Sequence, residues 1–257
     1  MSLVITTYVP DGIVMASDSR QLITIGGNTP DGKPLPKVDT VNSDNVYKTY
    51  LLSKKDKENK FIFEVGVQSF GEDLLGGISI ASHIKRFMEE DLTTEDNITT
   101  IPKKLVEFFS KNFPKADTGF HVAGYKKEKE REASKPYVYY CHVAKNIVEQ
   151  KNKKPNNGLN YGATWSGQAD IITGLIISII EKTPQGDNKI IKLVSPIIWD
   201  AMPLQDAIDF SIFAIRTTID TIRFQARPKN VGGPIDVLVI IPEGAKWIQK
   251  KALRGEL

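Results

Sequence analysis

The order in which the chain switches its hydrophobic period constrains the fold more than any other feature of the sequence. Residues 3 to 9 and 13 to 19 are β-branched runs separated by Pro10-Asp11-Gly12, a preset φ followed by a residue tolerant of positive φ, so the chain is expected to open on a hairpin. Val46 to Ser53 and Phe61 to Val67 read as two more strands, flanking the charged tip Lys54 to Lys60. The period then changes: Leu74 to Met88 and Ile101 to Phe113 carry apolar residues at helical spacing, with Leu105, Phe108, Phe109 and Phe113 marking the second. Strand patterns return at Gly119 to Gly124 and Tyr137 to Val143, around the charged connection Lys126 to Lys135. An apolar helix is expected from about Gln168 to Glu181, an amphipathic one from Met202 to Arg223, and a closing strand from Ile235 to Ile241. Runs of strands each followed by two helices predict two stacked sheets covered on the outside by helices. Between the first strands, residues 21 to 44 are dense in Gly, Pro and Asp and read as a long functional loop.

The 257 residues, 40% hydrophobic and 25% charged, suit a single domain spanning 1–257. With 34 basic against 31 acidic residues, the charge is too balanced to point to nucleic acid. The longest apolar run, Ile171 to Ile180, is interrupted by Thr173, Gly174 and Ser178 and is shorter than the roughly 20 residues of a membrane span. The first residues lack the basic and apolar regions of a signal peptide, and a single cysteine forms no internal disulfide, so a soluble, cytoplasmic protein is expected. Cys141 and His142 are neighbours on a strand and point to opposite faces, which excludes a dyad and makes Cys141 a core residue. His83 and His121 belong to no metal-ligand spacing, and Gly26-Gly27 and Gly76-Gly77 do not have the form of a phosphate loop, so neither metal nor cofactor is expected.

Four segments, in order along nearly the whole chain, carry a family resemblance. Ser2 begins a strand-turn-strand ending in Asp11-Gly12-Ile13-Val14-Met15-Ala16-Ser17-Asp18-Ser19-Arg20, with Ser2 and Asp18 sixteen positions apart. Asn45-Val46-Tyr47-Lys48 leads into the third strand, Trp165-Ser166-Gly167 precedes an apolar helix, and Val231-Gly232-Gly233-Pro234-Ile235-Asp236-Val237 opens the closing strand. These resemble the proteasome β subunits and their bacterial relatives of the HslV and Anbu kinds, which are N-terminal-nucleophile hydrolases. The resemblance implies an α+β, four-layer αββα sandwich of two antiparallel sheets flanked by helices. It also implies a hydroxyl nucleophile at a free N-terminus, hydrolysis of peptide or amide bonds, and assembly of identical subunits into rings or stacks, with an ATPase partner that the sequence does not name.

The chemistry asks for these residue types. A serine hydroxyl needs a base within reach, and an α-amino group with a pKa of about 7.7 to 8.0 is one tethered to it. Removal of Met1 would put that amine on Ser2. By the resemblance, Lys48 lowers the amine's pKa by like-charge repulsion and Asp18 keeps Lys48 charged. Outside the pattern, Asp18 would read as a turn cap and Lys48 as a surface lysine. Ser166 is expected to hydrogen-bond near the amine, although a Ser-Gly before a helix also serves as an N-cap. Backbone N–H donors for an oxyanion are expected at Gly66, with the residues near Gln68 and Ser69 fitting almost as well, and at Gly167. The chain departs from the family in using Ser for Thr and in carrying Arg227-Pro228-Lys229-Asn230-Val231 where the family has an Asp and a Ser. That departure leaves a non-catalytic, structural subunit of the same fold as the rival expectation.

Overall fold

In a computed structural model of the protein, residues 2–126, 133–177, 179–182, 188–192 and 194–252 are described. In chain order the strands and helices begin with β1 (Leu3–Val9), β2 (Gly12–Ser17), β3 (Gln21–Ile25), β4 (Val38–Ser43), β5 (Thr49–Lys55) and β6 (Phe61–Gly71). They continue with β7 (Leu74–Leu75), β8 (Ile78–Ser79), α1 (Ile80–Glu90), α2 (Ile101–Asn112), β9 (Thr118–Lys126), β10 (Lys135–His142) and β11 (Ile147–Gln150). The last are β12 (Gly162–Gly167), α3 (Asp170–Ile176), β13 (Ile179–Lys182), β14 (Asn188–Lys192), α4 (Leu204–Phe224), β15 (Asp236–Ile241) and β16 (Gly244–Gln249).

Two five-stranded sheets, ordered β12-β1-β2-β15-β16 and β11-β10-β9-β6-β5, are antiparallel throughout. Helices α1 and α2 bury Ile84, Phe87, Leu105 and Phe109 against the second sheet. Helices α3 and α4 bury Ile172, Ala207, Ala214 and Ile215 against the first. Between the sheets lies a smaller apolar layer of Ile13, Met15, Val138, Leu238 and Ile240. The result is the αββα sandwich that the strand-helix order predicts. Strands β1 and β2 are buried at every position, because one of their faces meets the second sheet and the other meets α4.

Several elements differ from the sequence expectation. The Gly-rich stretch 21 to 44 contains a two-stranded hairpin, β3 with β4, which closes through Asn28 and Pro34. Its Ile25, Val38 and Val41 are exposed, so its strand residues do not show the one-sided burial that marks a strand in sequence. Residues 74 to 79 form the β7–β8 hairpin, not the first turns of a helix. Gly76 and Gly77 take φ of 59° and 79°, as a two-residue hairpin turn demands, and Ser79 caps α1 by accepting from the Ser82 N–H. The helix expected over 168 to 181 ends at Ile176, and Ile179–Lys182 pairs with Asn188–Lys192 as a strand, in keeping with the β preference of Ile. Part of the connection 126 to 135 lies outside the described residues. Among the described residues no helix is long and apolar enough to cross a membrane.

Phe109 is fully buried between Phe108 and Phe120, so Phe109→Ala should destabilise the fold by about 3–5 kcal/mol. Urea denaturation checks this, and a loss under 1 kcal/mol would mean that the α2–sheet contact is not a core contact.

Candidate functional site

The first turn of the sandwich brings both ends of the opening hairpin together. Asp18 follows directly on β2 and is fully buried. One of its oxygens accepts from the Leu3 N–H at 2.9 Å and from Lys48 Nζ at 2.8 Å, and the other accepts from the Arg20 and Gly232 N–H groups, each at 3.1 Å. Lys48 has no exposed surface and donates also to the Arg20 carbonyl. A buried ion pair holds only when its charges are met by further hydrogen bonds, and here both Asp18 oxygens accept backbone N–H groups while Lys48 adds a backbone carbonyl. Ser2, also fully buried, lies one residue from the Leu3 amide that grips Asp18, and its Oγ has no hydrogen-bond partner among the described residues. Ser2, Asp18 and Lys48, chosen from sequence, therefore stand together.

Gly167 lies against Ser2. Its φ is 94° and a Cβ there would sit 1.7 Å from the Ser2 carbonyl oxygen, so only glycine fits. The next amide, Gln168 N–H, donates to that same oxygen at 2.7 Å. Ser166 pairs with Val4, two residues along the chain from Ser2. Its hydroxyl is bonded to His121 Nε2 at 2.9 Å, and no bond from it to Ser2 is seen.

Gly66 is not brought to Ser2. A Cβ on it would meet Met15 Sδ at 2.3 Å and Ile240 Cδ1 at 2.9 Å, which places it between the sheets. With β5 and β9 paired on either side of it, its amide faces a neighbouring strand. β6 runs four residues beyond Val67, the last residue of its predicted span, and ends at Gly71. The Ser69 N–H donates to the Lys48 carbonyl at 2.9 Å. Alternation along the strand turns the Phe70 amide toward β9 and the Gly71 amide back to the β5 side, past the first residue of β5.

Other participants were not chosen from sequence. Arg20 forks onto Asp44 at 2.6 and 2.7 Å and donates to the Lys229 carbonyl, tying the β4–β5 loop to the loop before β15. The Arg20 hydrogen bonds hold the Asp44 carboxyl below its usual range. Near the C-terminus, Lys251 Nζ is bonded to Asp236 and to Ser19 Oγ and lies 4.4 Å from the Tyr47 ring centre, bracing the residues beside Asp18 and Lys48. Asp73, just past β6, is pushed up by burial, opposed by the charge of Lys48. Ser19, Arg20, Tyr47 and Asp236 belong to the motifs quoted from the sequence; Asp44, Asp73 and Lys251 are long-range partners with no local signal. Cys141 is a core residue with no exposure, and burial pushes its thiol up to about 12.

Comparison with known proteins agrees at the level of the fold. No family model matches the chain, and no curated protein does. Among solved structures it is similar to Anbu (ancestral beta-subunit) from Yersinia bercovieri, with a TM-score of 0.53 and 13% identity over 96% of this chain and 87% of that one. It is also similar to an Anbu (Gly-1) mutant from Hyphomicrobium sp. strain MC1, with a TM-score of 0.57 and 13% identity over 98% and 86%. The fold is proteasome-like. Both of these proteasome-like neighbours are Anbu chains, and neither is of the HslV kind.

Within this proteasome-like fold His121 is fully buried, and its pKa is lowered to about 3, first by desolvation and then by the charge of Lys151. The unfolded chain protonates this histidine at its ordinary value of 6.5, so between pH 6.5 and about 3 the unfolded state binds more protons and stability falls as the pH drops. Between pH 7 and pH 5, His121→Gln should therefore lose about 2 kcal/mol less stability than the parent. Urea titrations at the two pH values check this, and equal losses would mean that His121 titrates normally in the folded state.

Proposed function

We propose that this chain is an N-terminal-serine hydrolase of peptide or amide bonds. The single observation that carries the proposal is the fully buried Lys48–Asp18 pair beside a Ser2 hydroxyl with no partner among the described residues. With Met1 removed, the Ser2 α-amine takes the hydroxyl proton as Oγ attacks the carbonyl carbon, giving an ammonium and a tetrahedral oxyanion. The Lys48 charge favours the neutral amine at the start, and Asp18 offsets the cost of burying that charge. The Gly71 amide, on the β5 side beyond Lys48, is the oxyanion donor in this proposal, taking the place expected for Gly66. Gly167 and Gln168 hold the Ser2 carbonyl and so fix the backbone that carries the hydroxyl. As the intermediate collapses the ammonium returns its proton to the substrate nitrogen, which leaves as an amine, and the Ser2 ester that remains is hydrolysed by water.

We further propose that copies of the chain assemble with one another into a ring or stack. The outer side of α4 supports this, since Phe213 and Phe224 are 51% and 82% exposed there. The run Arg227 to Val231, which stands where the family resembled has an acid and a hydroxyl, favours a second function, that of a structural subunit without hydrolysis.

Intact mass before and after a β-lactone or epoxyketone separates the two. The hydrolase requires loss of Met1 and one adduct on Ser2, absent in Ser2→Ala and slowed at least about a hundredfold in Lys48→Met. Retained Met1, or a free Ser2 that never reacts, would establish the structural subunit instead.

A further inference from the structure

A directed chain of hydrogen bonds crosses the gap between the two sheets and ends at Ser166. Its fixed end is backbone. Gln68 donates from Nε2 to the Ala16 carbonyl at 2.8 Å and to Thr49 Oγ1 at 3.2 Å, which commits its Oε1 to accepting. The Thr6 hydroxyl donates to that Oε1 at 2.9 Å and so has spent its one proton. Thr6 Oγ1 also lies 3.1 Å from His121 Nδ1, and with no proton left to give, it accepts. Nδ1 therefore carries the imidazole proton and Nε2 is bare. Ser166 Oγ, 2.9 Å from Nε2, must then be the donor. Its oxygen keeps its lone pairs for another partner.

That partner is close. Ser166 pairs with Val4 on β1, Val4 and Thr6 share the face of that strand on which Thr6 meets His121, and Ser2 lies two residues before Val4. Ser2 is the diagonal neighbour of Ser166, at the about 7 Å Cα spacing of an antiparallel pair. Phe70 and Tyr140 stand around the imidazole with ring centres 5.6 and 6.2 Å away. We propose that His121 is a positioning residue that accepts a hydrogen bond from the Ser166 hydroxyl and so presents the Ser166 oxygen as an acceptor to the N–H of the Ser2 α-amine. This rests on the hydrolase function proposed above and deepens it. When the amine takes the Ser2 hydroxyl proton, the ammonium has one N–H more to place, and an oxygen that can only accept stabilises it. His121 does this through Ser166, where the loop before β15 lacks the acidic and hydroxyl pair of the family. Burial among two aromatic rings keeps the imidazole neutral, as the role requires.

The test has one arm that needs no activity. Long-range 15N–1H NMR of the 15N-histidine-labelled protein should show His121 protonated at Nδ1 and bare at Nε2, unchanged from pH 8 to pH 5. An Nε2–H tautomer, or an imidazolium in that range, would overturn the assignment. Thr6→Val removes the acceptor of Nδ1–H while keeping the shape of the side chain. It should switch the tautomer and slow acylation of Ser2 by a β-lactone about tenfold, the worth of one hydrogen bond. His121→Gln, which can both accept from Ser166 and donate to Thr6, should retain the parental rate, whereas His121→Phe should lose about tenfold. Parental rates in both Thr6→Val and His121→Phe would refute the role. A parent protein with a free Ser2 that never reacts would instead remove the hydrolase function, with the tautomer still deciding what His121 does.

Discussion

Everything near the start of the chain is organised around one buried ion pair. Asp18 and Lys48 have no solvent to share their charge with, so each must be met by protein groups or the pair would cost more than it returns. Those groups come from four separate segments: the Leu3 amide, the Arg20 amide and carbonyl, and the Gly232 amide, together with Lys48 itself. The pair thus fixes where β1 begins, how the chain leaves β2, where β5 starts and how the loop before β15 closes. Glycine at 232 is part of the same constraint, because a Cβ there would collide with the Arg20 guanidinium at 2.5 Å.

The space between the sheets is divided. At one end it is apolar, with Ile13, Met15, Leu238 and Ile240. At the other, toward Ser2, it is filled by hydroxyls, an amide and an imidazole that bond one another and the Ala16 carbonyl. A low-dielectric layer strengthens such bonds and penalises any group left out, so the network admits few proton arrangements. An apolar packing of the same volume would hold the sheets together and give Ser166 no preferred direction. The two layers therefore divide the work, cohesion at one end and orientation at the other.

The Lys251–Asp236 contact extends this logic to the other end of the chain. Lys251 reaches Asp236, Ser19 and Tyr47, the last two each next to a member of the ion pair. A residue 203 positions from Lys48, by the difference of their numbers, thereby helps to hold the same few ångströms of backbone.

Much of this was legible in sequence. Pro10-Asp11-Gly12 and the switch from strand to helix spacing depend on neighbours along the chain, and they determined the opening hairpin and the layer order, while the residues worth placing at the site came from the resemblance, through the sixteen-residue interval from Ser2 to Asp18. Where local signals conflicted, the structure differed: Gly76-Gly77 made a hairpin of what looked like a helix start, and β6 ran on to Gly71, four residues past its expected end. Tertiary structure alone decided that Lys48 is buried while most other lysines are solvated, and that His121 faces Ser166 and Thr6. Thr6 and His121 are 115 residues apart, and no spacing rule joins them. They meet because burying the inner faces of two sheets fixes which strands oppose, and a polar group caught in that layer must bond whatever the packing puts in front of it.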